Sequence, residues 1–257
     1  MLNGALRAHG LEPVWAVWDD PNVDWSRFGL VVVRSAWDYA ERSAEFLRWA
    51  EDRRRIENTL PVLRFGVDKE RYLTALAAGG VPVIPTTFVR PGKRFEPPEE
   101  SFVVKPAISA GGRRSARFEA GDSAALALVA EIGGAGQTAM IQPLLSRVAE
   151  SSLVYLDGEY SHSLSRRAEL PEAQARDVLY LEEELAPYES TTAERRVAEA
   201  ALRLAPEPPL YARVDLLGGV VLELELVEPS LYLAYGEGSA DRLAAVVRAR
   251  LEATLSP

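Results

Sequence analysis

Tyr211-Ala-Arg-Val-Asp-Leu-Leu-Gly-Gly-Val-Val-Leu-Glu-Leu-Glu-Leu226 reads as two strands around a glycine pair. In the first strand Ala212, Val214 and Leu216 alternate with Arg213 and Asp215; in the second, Leu222, Leu224 and Leu226 alternate with Glu223 and Glu225. A sheet with one buried face needs all six apolar side chains on one side, because a one-residue slip turns a whole strand over. A plain two-residue turn at Gly218-Gly219 would pair Asp215 with Leu222 and break that rule. The spacing therefore predicts a loop of odd length or a bulge, which a glycine pair permits. In that register Arg213, Asp215, Glu223 and Glu225 share the opposite face. Crowded carboxylates repel and call for a cation, and an oxygen-only donor set suits Mg²⁺. The residues alone leave a second reading open, a solvated charged face in which Arg213 neutralises its neighbours.

Upstream, Phe102-Val-Val-Lys-Pro-Ala-Ile-Ser-Ala-Gly-Gly112 reads as a strand that delivers Lys105, then a small-residue loop through Ser109, Gly111 and Gly112. Such a loop offers free backbone N–H groups to a phosphate. Its glycine order matches neither a Walker loop nor a dinucleotide fingerprint, and a plain hairpin with a Gly-Gly turn is the alternative. The N-terminal part reads as a helix over 2–9, a strand over 13–18, a buried strand over 30–34 and a helix over 40–55. That alternation marks a parallel sheet with helices packed on it. Such a sheet normally begins with a strand, so a first strand is expected to be missing here. From residue 61 onward the pattern predicts helices over 68–78, 123–132, 192–204 and 240–255, with a loop over 91–100. Strands are expected over 86–89, 115–118 and 138–142, with a hairpin of 153–156 and 160–164 around Asp157-Gly158. The fold class expected is α/β (α+β), antiparallel in its later part.

Composition narrows the chemistry. The 257 residues carry 47% hydrophobic and 26% charged side chains, which is ordinary globular composition. A net charge of −9 argues against a partner that is nucleic acid. No run approaches the ~20 apolar residues of a membrane span, and Met1 to His9 has no apolar core of a secretory signal. A cytoplasmic address is expected. Cysteine is absent and histidine occurs only at His9 and His162, which excludes thiolate nucleophiles and disfavours zinc. Lysine occurs only at Lys69, Lys93 and Lys105 among 29 basic residues. A chain that drifts to arginine keeps lysine where a compact point charge is needed.

Taken in order, these motifs resemble those of the ATP-grasp superfamily. The resemblance implies ATP and Mg²⁺, with Lys69 and Lys105 on the nucleotide phosphates and the loop of Ser109, Gly111 and Gly112 closing over them. It makes Asp215, Glu223 and Glu225 the metal ligands, with Glu225 standing where asparagine is commoner. Met140-Ile-Gln-Pro-Leu-Leu145 is similar to the segment whose backbone reads adenine, so Gln142, Pro143 and Leu145 join the nucleotide site. Glu150 resembles the acid that holds the ribose, and Arg166 or Arg167 the arginine that reaches the terminal phosphate. Within the superfamily the chain resembles the O-ureido-serine cyclo-ligases of cycloserine biosynthesis and their uncharacterised relatives. The matching stretches are Val31-Val-Val-Arg-Ser-Ala-Trp-Asp-Tyr39, Phe102 to Gly111, Asp157 to His162 and Leu222-Glu-Leu-Glu-Leu-Val-Glu-Pro-Ser230. The fold implied is a nucleotide site between two α+β subdomains over 61–257, with a lid subdomain over 86–143. A small Rossmann-like domain over 1–60, lacking its first strand, precedes it.

Arg34, Trp37, Asp38 and Tyr39 follow the predicted strand over 30–34, at the sheet edge where open α/β folds bind ligands. Arg34 could clamp a substrate carboxylate and Asp38 receive an ammonium. Alternatively Trp37 and Tyr39 pack the next helix and Arg34 pairs with Asp38. Arg213, Glu228 and Ser230 are further substrate-side candidates. The function expected is a carboxylate–amine ligase or cyclo-ligase that works through an acyl phosphate on a small amino-acid-like substrate. A nucleotide-binding homologue without catalysis is the alternative. A binding module without nucleotide, and a ligase joining two separate substrates, are also weighed. The partner expected is a small molecule, with no nucleic acid or membrane, and homo-oligomerisation is left open.

Overall fold

Two antiparallel sheets face each other across a cleft, and the hairpin quoted above forms the floor of one of them. The computed structural model describes residues 1–145, 148, 150–168 and 183–255. The chain opens with helix α1 (Leu2–Ala8), strand β1 (Val31–Val32), helix α2 (Ser43–Glu51) and strand β2 (Ile56–Glu57). Helices α3 (Leu60–Gly66) and α4 (Lys69–Ala78) lead into β3 (Thr87–Val89), β4 (Phe102–Pro106), β5 (Ala116–Phe118), α5 (Ala124–Gly134) and β6 (Ala139–Pro143). Then come β7 (Glu150–Leu156), β8 (Glu159–Ala168), β9 (Glu183–Pro187), α6 (Thr192–Leu202), β10 (Tyr211–Leu217), β11 (Val220–Glu225) and α7 (Ser239–Leu255). The lid sheet runs in the order β3-β6-β4-β5 and the floor sheet β11-β10-β7-β8-β9.

Each sheet has its own core. Under the floor, Ala212, Val214 and Leu216 of β10 join Val221 and Leu224 of β11, Leu226, Tyr72, Leu73 and Leu76 of α4, and Ala198 and Ala201 of α6. The lid closes Phe102, Val104, Phe118 and Ile141 over Leu128 and Ile132 of α5. Burying a leucine or phenylalanine side chain stabilises by roughly 1.5–3 kcal/mol, so each sheet is anchored independently of the cleft between them.

The N-terminal part departs from the sequence expectations. Residues 13–18 form no strand: Val14, Trp15 and Val17 stand 66%, 63% and 63% exposed, and the parallel sheet there consists of β1 and β2 alone among the described residues. Without a neighbouring strand, the run has no ladder to join. Trp18 instead turns inward, edge-on to Phe46 at 5.7 Å, within a cluster that also holds Trp49 and Trp25. The strand expected over 30–34 shrinks to Val31–Val32 and is half-buried, because a two-stranded sheet covers little of either strand. The helix expected over 40–55 is cut to α2 after a 3₁₀ turn at Trp37–Ala40. Its far end must extend, since the Arg55 carbonyl accepts from the Val31 amide at 2.7 Å.

Asn58 stitches this part to the floor. Buried completely, its amide donates to the carbonyls of Tyr211 (2.9 Å) and Leu226 (2.7 Å) and accepts from the Leu210 amide (2.7 Å). The later elements that the sequence predicts form within a few residues of their expected positions, and the structure adds α3 (Leu60–Gly66) and the edge strand β9 (Glu183–Pro187). Among the described residues no helix is long and apolar enough to cross a membrane.

Candidate active site

The cleft holds about 1440 Å³. Its floor is decided by one irregularity in the β10–β11 ladder. The turn at Gly218-Gly219 is the two-residue kind, pairing Leu217 with Val220, and a bulge between Asp215 and Leu216 restores the phase. Beyond it Asp215 pairs with Glu223 and Arg213 with Glu225, so all four charges face the cleft. The bulge corrects the expected apolar set: Val221 takes the core position opposite Leu216, and Leu222 lines the cleft instead.

Charge on this floor is heavily paired. Arg213 donates from Nε and Nη2 to both oxygens of Asp215 (2.8 and 2.9 Å), and from Nη2 to Glu225 Oε1 at 2.6 Å. Asp215 also accepts from Ser152 Oγ (2.6 Å) and Arg166 Nη1 (3.0 Å). Burial pushes the Asp215 carboxyl up, but Arg213 and then Arg166 outweigh it and hold the group below its ordinary value. Glu223 meets Lys105 Nζ at 3.5 Å and Lys69 Nζ at 3.7 Å. Burial again opposes ionisation, yet Lys69 and Lys105 draw its carboxyl down to about 2. Glu225 goes the other way. Burial dominates, with Asp215 and Glu223 adding to it, and its carboxyl rises to about 7 against the pull of Arg213.

The donor set fits a divalent cation. One oxygen each from Asp215, Glu223 and Glu225 lie within 4.8 Å of one another. Glu223 and Glu225 each keep Oε2 clear of hydrogen bonds from the described residues, whereas both Asp215 oxygens are already engaged. Hard oxygens in this number suit Mg²⁺.

The lysines arrive from opposite sides. Lys69 is the first residue of α4, which Asp68 caps by accepting from the Glu70 amide, and its ammonium donates to the Ser109 carbonyl at 2.8 Å. Lys105 rides on β4 in the lid, opposite Met140 of β6. The loop from β4 to β5 carries Gly111 and Gly112 at φ of 63° and 72°, left-handed values that disfavour a side chain. Ser109, Gly111 and Gly112 all line the cleft. Gln142, Pro143 and Leu145 form its wall beside Leu222 and Ile84; the Gln142 amide donates to Thr86 Oγ1 at 2.9 Å. Glu150 lies 3.4 Å from Arg166 Nε, and burial raises its carboxyl to about 7 despite that arginine. Arg166 and Arg167 are separated cleanly. Arg166 points at Asp215 deep in the cleft, while Arg167, its side chain 78% exposed, lines the cleft nearer solvent and pairs with Glu184 at 3.8 Å.

The substrate-side candidates divide. Trp37, Asp38, Tyr39, Arg213, Glu228 and Ser230 line the cleft; Arg34 does not. Arg34 Nη1 donates to the Pro229 carbonyl at 2.7 Å and its guanidinium lies over the Tyr211 ring at 5.4 Å, so a clamp on a substrate carboxylate is not what it forms. Asp38 accepts from Trp18 Nε1 (2.9 Å) and Arg42 Nη1 (3.0 Å) rather than pairing with Arg34. Sequence reasoning missed Leu222 and Tyr232. The first needed the side of the bulge to be known. The second, a non-glycine residue at φ 44°, lies 5.4 Å under Arg213 and has no motif to announce it.

Paired sheets gripping a cleft, with two lysines above three carboxylates, define an ATP-grasp ligase. The chain superposes on the ATP-grasp ligase PsnB complexed with its minimal precursor, Mg and ADP, with a TM-score of 0.62 at 19% identity over 97% of this chain and 92% of that one. Residues 1–60 match the N-terminal domain of D-cycloserine synthetase DcsG. The cycloserine biosynthesis protein DcsG of Streptomyces lavendulae is 37% identical over 276 residues, covering 96% of this chain and 92% of that protein. The crystal structure of D-cycloserine synthetase DcsG superposes with a TM-score of 0.83 at 33% identity, over 97% of this chain and 93% of that one. The chain belongs to the DcsG family and is an ATP-dependent ligase.

Proposed function

We propose that this ligase activates the carboxylate of a small amino-acid-like substrate as an acyl phosphate, and that an amine nitrogen of the same molecule then closes a ring. Lys69 and Lys105 neutralise phosphate oxygens of ATP, and Arg166 stabilises the charge on the transferred group. A bound Mg²⁺ would be held by Glu223 and Glu225, with Asp215 behind, and would supply charge neutralisation at the β and γ phosphates. The substrate carboxylate oxygen attacks the γ-phosphorus as the bond to the β–γ bridging oxygen breaks and ADP leaves. The nitrogen lone pair then attacks the acyl carbon, the carbon–oxygen bond to phosphate breaks, and the nitrogen gives up its proton. The protein does no covalent work, so positioning and charge supply most of the acceleration. Ser109, Gly111 and Gly112 exclude water from the acyl phosphate, and Gln142, Pro143, Leu145 and Leu222 hold the base, with Glu150 on the ribose. Residues 1–60 act as the substrate-side domain, and 61–257 as the nucleotide-gripping one with its lid over 86–143.

The observation that carries this reading is the convergence of Lys69 and Lys105, from separate elements, on the single carboxylate Glu223. Ring closure is favoured over two-substrate ligation by the likeness to DcsG. Thermal unfolding with ATP plus Mg²⁺, against ATP alone, is the first test. Nucleotide at ~100 times its dissociation constant stabilises by roughly 2.7 kcal/mol. A magnesium-dependent rise in Tm is expected, with ADP release on adding amino acids and a product one water lighter than a single substrate. Stabilisation that ignores magnesium, or a product joining two molecules, overturns the corresponding half of the proposal.

A further inference from the structure

The substrate end of the cleft contains one carboxylate, Glu228, that forms no ion pair with a described lysine or arginine. Each other charge there is accounted for. Asp38 is occupied by Trp18 and Arg42. Arg213 is divided among Asp215, Glu225 and the Ser230 carbonyl, the last at 3.1 Å. Arg34 is turned to the Pro229 carbonyl. Glu228 lines the cleft half-buried, and among the described residues no lysine or arginine comes within ion-pairing distance of it. Burial, and then the neighbouring Glu225, push its carboxyl up to about 7; Arg34 and Arg213 lower it only from a distance, and the adjacent Trp37 indole lowers it least.

The surroundings are built rather than incidental. Two arginines grip the carbonyls that follow Glu228, at Pro229 and Ser230, and Pro229 itself restricts the backbone. The segment is therefore fixed while its acidic side chain has no ion-pair partner among the described residues. Beside it Trp37 is 65% exposed on the cleft wall, so it contributes little to any core. An indole face attracts an ammonium group, and a carboxylate next to it completes a two-sided cation site.

We infer that Glu228, with Trp37 beside it, receives the ammonium group of an amino-acid substrate and is a specificity-determining residue. This rests on the ligase reading above and deepens it: the substrate class is a carboxylic acid carrying a protonated primary amine, distinct from the unprotonated nitrogen that closes the ring. The polarity of the cleft then orients the molecule. Its ammonium goes to Glu228 and its carboxylate is repelled from there toward the end held by Lys69, Lys105 and Arg166.

The experiment compares ADP release by the wild-type chain and by Glu228→Gln and Glu228→Asp. The probes are free amino acids, serine and O-ureidoserine of both configurations among them, and their N-acetyl derivatives. MgATP stabilisation of each variant is recorded alongside. Glu228→Gln is expected to raise KM for the free amines at least tenfold with a smaller change in kcat, Glu228→Asp to recover part of it, and N-acetylation to abolish turnover by the wild type. MgATP stabilisation should be unchanged in both variants. A Glu228→Gln KM within twofold of wild type, or equal turnover of the N-acetyl compounds, overturns the inference and leaves the ligase reading standing. If Glu228→Gln does not fold, the N-acetyl comparison on the wild-type chain decides. No ADP release from any free amino acid, with magnesium-dependent stabilisation intact, refutes the amino-acid reading itself and this inference with it.

Discussion

The floor hairpin and the N-terminal sixty residues invert each other. β10 and β11 bury Arg213, Asp215 and Val221 alike, placing charge where apolar side chains usually go. The N-terminal part leaves Val14, Trp15 and Val17 in solvent, placing apolar side chains where charge usually goes. Buried charge persists only where every ion is paired and hydrogen-bonded, so the hairpin is over-determined: Asp215 alone accepts from Ser152, Arg166 and Arg213. Exposed apolar groups carry no such obligation. Substitutions should therefore be felt in the hairpin and hardly at all at Val14, Trp15 and Val17.

The largest effect expected is on activity. Lys105→Ala removes the charge that the proposed function sets against the ATP phosphates, and ADP release should fall by at least ~10²–10³-fold; retention of full turnover would remove the hairpin's opposing wall from the chemistry. Next in size is stability. Asp215→Ala leaves Arg213 and Arg166 without their shared partner and should cost about 3–5 kcal/mol in denaturant unfolding. Replacing Arg213 and Asp215 together by methionine and leucine should cost far less than the two single changes added. Additive losses would mean that the pair is not the unit that holds the floor.

A smaller effect separates pH dependence from packing. The folded-state carboxyl of Glu228 is raised to about 7 from an ordinary 4.5, so the native chain holds a proton there that the unfolded chain has lost. Its contribution is present at low pH and is lost as pH rises from about 4.5 through about 7. His162, whose imidazole is lowered by burial, slopes the other way and is common to both chains. Glu228→Gln should therefore gain stability relative to the wild type between pH 5 and pH 8. Parallel unfolding midpoints across that range would show that Glu228 titrates normally. Smallest of all, Trp15→Ser should change stability by no more than ~0.5 kcal/mol, and a loss of several times that would show that the exposed run is covered in solution.

The same contrast explains what was legible. Two-residue alternation, a glycine pair and the spacing of Asp215, Glu223 and Glu225 fix the hairpin from local information, because a strand's faces follow from its own periodicity. Lys69 and Lys105 were readable because lysine is rare in this chain. What alternation could not supply was the location of the bulge, so the expected core included Leu222 in place of Val221. In the N-terminal part the apolar run over 13–18 had the composition of a strand, but a strand also needs a partner, and pairing is not written in the run itself. Arg34 had the right chemistry for a substrate clamp and is held by Pro229 instead, a contact 195 residues away in sequence. Asn58, which joins the two parts, carries no motif at all.

The bulge between Asp215 and Leu216 has a consequence for how the gene can vary. Downstream of it, β11 is in phase with β10 only because one residue more than the ladder requires has been inserted between the glycine turn and Glu223. Loss or gain of a single codon there would send Glu223 and Glu225 beneath the sheet, against α4 and α6, and lift Leu224 into the cleft. Loss or gain of two would keep every face correct. Length at this turn is thus constrained by parity, independently of which amino acids occupy it.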